Sequence, residues 1–335
     1  MRGDSDVRFN REGHPMTMHR RMLGALTATS MLPRGASAQP GPTRPIRFFV
    51  GFAAGGTIDI AARLLAEKLS PVWGQPVVVE NRAGAGGTIA GLAVARAEPD
   101  GSTLLISSAA EVVVAPFTQA SLAYHPRTEL TPISLIARNP FALVVTPGLP
   151  AQTLPELIAL AKRQPLSYAS SGVGTTTHLV SELFKLRTGT EIEHVPYRGT
   201  AQLQADLLAG RVHMAFDSVS AVLPQIQAGR LRAIGVATAA RSPQAPDIPT
   251  LSELGLTGFV GGGWAGFLGP AGLPAPLAAR LESDLRAAMA SGVGTELARR
   301  GFDPVGSDSA TFRAFIEEEI VRWGEVARAA GIRPA

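Results

Sequence analysis

From residue 44 onward, short apolar runs alternate with amphipathic stretches, and glycine or proline marks most joints between them. Ile46–Phe52 is an apolar run that stops at Ala53-Ala54-Gly55-Gly56-Thr57. In the Ile58–Ser70 stretch that follows, Ile58, Ala61, Ala62, Leu65 and Leu69 recur at helical spacing and share one face. Val77–Val79 is β-branched and bounded by Pro76 and Asn81, which predicts a strand. Leu104–Ile106 repeats the theme after the Pro99-Asp100-Gly101 turn, and Phe141–Thr146 predicts another strand. Thr153-Leu154-Pro155-Glu156 is a capping box that opens a helix, with proline at its first position. Further strands are predicted at Leu166–Ser170, Glu191–Pro196, Met214–Phe216 and Leu231–Ala237. From Thr311 onward, Phe312, Phe315, Ile316, Ile320, Trp323 and Val326 form one helical stripe that ends near Gly331. This alternation predicts an α/β fold with largely parallel sheets. No repeat of about 20–50 residues is visible, so a solenoid is excluded.

The chain has 335 residues, enough for roughly two domains of ~100–200 residues each. Its 45% hydrophobic and 17% charged composition argues against disorder. With no cysteine there is no disulfide, thiolate metal site or cysteine nucleophile. No run approaches the ~18 apolar residues of a membrane-spanning helix. Residues 1–38 hold six Arg and three acidic residues; removing them from the 31 basic and 27 acidic side chains leaves 25 and 24. Such a near-neutral body lacks the positive field that nucleic-acid binding needs, so no nucleic-acid partner is expected.

The excess basicity belongs to a segment that reads as an export signal. Met18-His19-Arg20-Arg21 precedes the apolar stretch Met22–Leu32, and Ala36-Ser37-Ala38 supplies an A-x-A cleavage site. The arginine pair also fits a twin-arginine route. Residues 1–38 are therefore expected to be a leader cleaved near Ala38, with the mature chain starting near Gln39. A cysteine-free mature chain suits an oxidising compartment.

Two glycine turns carry most of the functional signal. The first is Phe52-Ala53-Ala54-Gly55-Gly56-Thr57-Ile58-Asp59, and the second is Tyr168–His178, which contains Ser170-Ser171-Gly172-Val173-Gly174-Thr175-Thr176. Each leads from a strand into a helix. Glycine permits close backbone approach, and the unpaired N–H groups of a helix N-terminus favour an anion such as a carboxylate. Thr57, Ser170, Ser171, Thr175 and Thr176 add hydroxyl donors, and Thr175 is expected to donate to a ligand. In α/β sheets ligands bind beyond the carboxyl ends of strands, where both turns fall. Each turn read alone also fits an ordinary βα connection.

Competing motifs fail on spacing. Gly84-Ala85-Gly86-Gly87-Thr88-Ile89 places Ile89 where a dinucleotide fingerprint needs Gly or Ala. The run from Gly172 to Thr177 fails at the same place, and no P-loop lysine or G-x-S-x-G elbow occurs. His125, His178, His194 and His213 share no i, i+4 helix face, so a metal site on a single helix is not expected, and no cofactor is expected either. His178 reads better as a packed or capping imidazole than as a ligand contact. Asp59 lies in a first helical turn, where a carboxylate stabilises the dipole, and ligand contact is the alternative. Asp217 and Ser218 end a strand and either face the cleft or cap a turn.

Thr43–Ile332 resembles the Bug-type solute-binding receptors of the tripartite tricarboxylate transporter family. The resemblance rests on Arg44-Pro45-Ile46-Arg47, Phe52–Asp59, Gly74–Arg82, Gly84–Gly87, Pro99-Asp100-Gly101, Tyr168–His178, His194–Gly199, Pro249-Thr250 and Gly263–Gly272 in family order. It implies a two-domain α/β clamshell of the periplasmic-binding-protein kind (type II-like), with the ligand cleft between domains. Such a receptor is periplasmic and monomeric, and hands small carboxylates to membrane permease subunits. The ligand-binding positions so implied are Phe52, Ala54, Gly55, Gly56, Thr57, Asp59, Ser170, Ser171, Gly172, Gly174, Thr175, Thr176, Asp217 and Ser218. Many relatives have Phe-Asp-Asn where this chain has Phe216-Asp217-Ser218, which bears on ligand choice. Domain 1 is expected to join 43–140 with 240–335 and domain 2 to span 141–239, hinged at Asn139-Pro140 and Ala237–Ala240. The other classes weighed are a ligand-presenting sensor of the same fold and an enzyme acting on carboxylic acids. Asp59 and His178 are the only acid–base pair the sequence offers an enzyme.

Overall fold

The computed structural model describes residues 44–197 and 199–332, so the expected leader and its cleavage site lie outside the described residues. The chain opens with β1 (Ile46–Val50), α1 (Thr57–Trp73), β2 (Val77–Asn81), a 3₁₀ turn at Ala85–Gly87 and α2 (Thr88–Ala95). Next come β3 (Thr103–Ser107), a π-helical turn at Ala110–Val114, α3 (Ala115–Thr118), α4 (Pro126–Glu129) and the long strand β4 (Leu130–Val145). A second series follows: α5 (Leu154–Ala161), β5 (Leu166–Ser170), α6 (Thr176–Thr188), β6 (Ile192–Pro196), α7 (Thr200–Leu208), β7 (Met214–Ser218), α8 (Val219–Gln227) and β8 (Arg232–Val236). The chain then returns through β9 (Gly262–Pro270), α9 (Ala275–Ala288), a π turn at Met289–Val293, α10 (Gly294–Arg299), β10 (Asp303–Pro304) and α11 (Ser309–Ala329).

Local chemistry accounts for the element ends. α1 buries Ile58, Ala61, Ala62, Leu65 and Leu69 and stops at Gly74, whose φ of 63° suits glycine. The capping box at α5 is complete: Thr153 accepts from Glu156 N, and Glu156 Oε2 accepts from Thr153 N at 3.2 Å. α11 is capped by Asp308, which accepts from Thr311 N at 2.7 Å, and it buries Phe312, Ile316, Trp323 and Val326. Among the described residues no helix is long and apolar enough to cross a membrane.

The strands form one continuous path, β2-β1-β3-β9-β4-β7-β5-β6, with β8 and β10 also paired to β4. Its flanks are parallel, as the alternation predicts, but its centre is not. β9 runs antiparallel to both β3 and β4, and β4 runs antiparallel to β7 and β8. The expectation of largely parallel sheets is corrected there, because these strands carry the chain between two parallel series. β4 begins at Leu130, well before the predicted Phe141, with register shifts between Pro132 and Ser134 and between Leu135 and Ala137; Pro140 ends its pairing with β9. It pairs with β9 as far as Pro140 and with β7 from Phe141 onward.

One apolar cluster packs β1–β3, α1, α9 and α10 through Phe48, Leu65, Phe267 and Leu285. Another packs the β5–β8 region through Val144, Leu203, Leu207 and Val222. A third runs across both series, from Phe49 and Leu105 to Leu143, Tyr168 and Phe216, with Trp264, Phe312 and Trp323. The segment after β8 packs with the second series: Phe259 lies against Phe184 and Phe216, and Val236 bridges to Thr250.

Candidate ligand-binding site

The first turn joins β1 to α1 and leaves Ala53, Ala54, Gly55 and Gly56 exposed. Gly55 has φ 80°, and the helix starts at Gly56 with no side chain capping it. Asp59 points back from the first helical turn and is almost wholly buried. Its Oδ2 accepts from Gly55 N at 2.8 Å and Arg63 Nε at 2.9 Å, and its Oδ1 accepts from Asn81 Nδ2 at 2.8 Å. Asn81 Nδ2 also donates to Phe52 O at 3.1 Å, so the loop is tied to β2. Burial opposes ionisation of Asp59, but the bonds from Arg63, Gly55 and Asn81 outweigh it and hold its pKa below the ordinary value. Of the two roles open to Asp59, the geometry supports bracing the turn.

The second turn joins β5 to α6, with Gly172 at φ 137° and Gly174 at φ 73°. The hydroxyls of Ser170, Ser171, Thr175 and Thr177 are bonded to near neighbours. Thr175 Oγ1, expected to donate to a ligand, here donates to Gly172 O at 2.7 Å. Ser171 N donates to Thr177 Oγ1 at 3.0 Å, and Ser170 Oγ lies 2.6 Å from His194 Nε2. Gly174 N donates to His178 Nδ1 at 3.3 Å. Behind the turn, the His178 ring stacks on His194 at 4.2 Å between centroids, and His194 stacks on Tyr168 at 4.8 Å. Tyr168 in turn donates to Glu182 Oε1 at 2.5 Å. Burial, with His178 and Lys185 nearby, pushes His194 down to about 3, and burial also lowers His178. Both imidazoles are therefore neutral supports. Ser170 with His194 has the spacing of a nucleophile and base, but Ser170 is fully buried and so weak a base cannot take its proton near neutral pH. Asp59 and His178, the one acid–base pair read from the sequence, are each engaged within separate turns.

A cavity of about 410 Å³ lies against this turn. Val173 and Gly174 form one wall, Ala85 and Gly86 another, and Ala110, Ala115, Thr118, Gln119 and Ser121 the rest. No charged side chain lines it. Gly174 is fitted closely to the opposite wall, since a Cβ there would stand 2.9 Å from Thr118 Oγ1. Gln119 Nε2 donates to Ala85 O at 2.8 Å and fixes the Gly84–Gly87 loop, which leads into α2 without a side-chain cap. Ala85 has φ 48°, the only non-glycine residue in the left-handed region among those described. Such strain persists where the surroundings hold it, and it recurs at ligand sites. The first turn does not line the cavity but begins against the Gly84–Gly87 loop that does: a Cβ on Gly51 would lie 2.6 Å from Gly87 Cα. The structure thus sets both turns on a third element, made of the Gly84–Gly87 loop and residues 110–121. In the sequence Gly84–Gly87 reads as a failed nucleotide motif and as part of the resemblance, and nothing in the apolar pattern of 110–121 marks that segment. Three glycines and one alanine, Gly84-Ala85-Gly86-Gly87 immediately before α2, are the signal the sequence offers.

Asp217 and Ser218 end β7 at the point where β4 changes partners. Ser218 Oγ donates to Asn139 Oδ1 at 2.6 Å, while Asp217 accepts from Ser218 N at 2.8 Å and from Gln204 Nε2 at 3.0 Å. Burial pushes Asp217 up to about 6. A second cavity, about 480 Å³, is lined by Glu282, Arg286, Met289 and Gly306 among others and includes none of the expected site residues. Among the described residues no group of three or more His, Asp or Glu could hold a metal ion.

Comparison with known proteins bears on this geometry. Residues 61–332 match the family described as "Tripartite tricarboxylate transporter family receptor". The chain is 38% identical to Protein BugT of Bordetella pertussis over 322 residues, covering 95% of this chain and 99% of BugT. A solved structure of Rpa4515 of R. palustris with adipate is 38% identical, with a TM-score of 0.82 over 88% of this chain and 99% of that one. The structure of the periplasmic binding protein BugD is 33% identical, with a TM-score of 0.78 over 87% of this chain and 99% of that one.

Proposed function

The chain belongs to the tripartite tricarboxylate transporter receptor family, and from that premise we propose that it captures a small carboxylate and delivers it to a membrane permease from the periplasmic side. The observation that carries this reading is the cavity against the second turn, which has no charged lining and is bordered by α2 and α6, whose N-termini lack side-chain caps. An anion there is held by backbone N–H groups and helix dipoles, and no side-chain carboxylate in the lining repels it. The first turn, exposed and uncapped at α1, supplies the second set of donors when the two series of elements approach each other. In this reading Gly55, Gly56, Thr57, Gly174 and Thr176 face the ligand. Asp59, Ser170 and Thr175 hold the turns in shape, and Asp217 and Ser218 sit at the hinge. The Rpa4515 structure with adipate supports a carboxylate, and BugD, a periplasmic binding protein, supports the compartment.

A thermal-shift screen of mono-, di- and tricarboxylates against the mature chain, with adipate among them, tests this. At least one acid should raise the melting temperature in a saturable way without being turned over. Turnover of an acid would favour an enzyme, and no shift with any acid would refute the reading.

A further inference from the structure

Glu111 has no role in the carboxylate site as described. It lies in the π-helical turn Ala110–Val114 and is fully buried. π turns inside helical segments recur at functional sites. Oε2 accepts from Ser108 N at 3.0 Å and Ser108 Oγ at 2.7 Å. Oε1 has no hydrogen-bond partner, although it is buried. That oxygen occupies space where two loops would otherwise carry side chains: a Cβ on Gly51 would lie 2.9 Å from it, and one on Gly87 2.8 Å. Gly51 leads into the first turn, Gly87 ends the loop that walls the cavity, and the adjacent Ala110 lines the cavity itself.

The groups facing this carboxyl are uncharged. Tyr124 donates to Glu111 O at 2.7 Å, and Ser107 and Ser108 are hydroxyls. α2 and α3 bring no charged side chain to it. On α4 and α11, Arg127 pairs with Glu317, Glu129 with Arg96 and Glu319 with Arg322, while Arg328 donates to Gly324 O; no charged neighbour of Glu111 on either helix shifts its titration. Burial without a cation pushes Glu111 up to about 7, so it changes charge near neutral pH.

We propose that Glu111 is a proton-linked positioning residue of the anion site, which takes up a proton from solvent when a carboxylate binds. It rests on the carboxylate reading above. The proton adds to the Glu111 carboxylate, giving a neutral acid, and no bond to the ligand forms or breaks. A second negative charge in this low-dielectric region disfavours an ionised Glu111, and ionised Glu111 disfavours the ligand by the same factor. The neutral acid also has an O–H to donate from the otherwise unpartnered side.

Calorimetric titration of the mature chain with adipate, in buffers of different ionisation enthalpy, reads the linkage directly. At pH 8 binding should take up a fraction of a proton, and at pH 5.5 close to none. Affinity should fall roughly five- to tenfold from pH 6 to pH 8, the size of an ordinary coupling. Glu111→Gln, which is neutral at every pH, should lose both the uptake and the slope. His178 and His194 would instead give uptake at acid pH, so uptake confined to pH 5.5, binding without uptake at pH 8, or an unchanged profile in Glu111→Gln overturns the linkage and leaves carboxylate binding standing. Failure of adipate to bind at pH 6, where Glu111 is largely neutral, overturns the underlying reading and the linkage with it.

Discussion

Asp59 braces the first turn by accepting from a backbone N–H, an amide and a guanidinium. Hydrogen bonds to a charged group contribute roughly 1.5–3 kcal/mol, so Asp59→Ala should lower stability by about that much in urea unfolding and weaken carboxylate binding. Its pKa is depressed in the folded state, so its contribution is present above pH 3.8 and is lost as pH falls through the lower folded value. Glu111 has the opposite sign. Its pKa rises from 4.5 to about 7 on folding, so between those values the native state keeps a proton that the unfolded chain has released. Stability therefore falls as pH rises across that window and is flat above it. Melting curves should show Glu111→Gln more stable than wild type at pH 8 and little different at pH 4; a constant difference across pH would contradict this. The sequence placed Asp59 in a first helical turn and left its role open, and the structure supplies the partners that favour bracing. It gave no sign of how the second turn would use its hydroxyls. Ser and Thr bond readily to nearby groups, and Ser170, Ser171, Thr175 and Thr177 are bonded to near neighbours in this structure.

At the level of elements, the parallel strands and the main helices are legible from apolar period, as in α1 and α11, and from period and capping together in α5. β9 was not. Gly262, Gly263, Gly266 and Gly269 give it poor strand propensity, yet it lies in the middle of the sheet between β3 and β4. Its glycines are there for packing. A Cβ on Gly266 would stand 2.2 Å from Phe312 Cζ, and one on Gly269 2.1 Å from Leu273 Cδ1. The bare strand face thus lets α11 and the segment after β9 settle onto the sheet, a long-range fact that no local window contains. Overpacking a core typically costs ~1–3 kcal/mol, so Gly266→Ala should destabilise by at least that amount in urea. Lys68→Ala, on the exposed side of α1, is the control and should leave the unfolding midpoint unchanged.

At the scale of the whole molecule, the resemblance fixed the family and the class of fold, and the sequence left the layout of the crossings to the structure. We place the first crossing at Pro140–Phe141, where β4 exchanges β9 for β7. The return crossing we place at Gly261–Gly263 rather than Ala237–Ala240, because Leu251 and Phe259 pack with the second series. Gly262 permits it: a Cβ there would lie 2.9 Å from Asn139 O. In the proposed reading, the two series hinge at these two points and close on a ligand held from both sides by neutral donors. The central claim is that those donors recognise a carboxylate group. Calorimetric titration of the mature chain with the strongest acid from the thermal-shift screen, alongside its amide analogue, tests it most directly. The account predicts one site per chain and an amide weaker by at least about tenfold, a difference of ~1.4 kcal/mol. Equal affinity for the acid and its amide would contradict it.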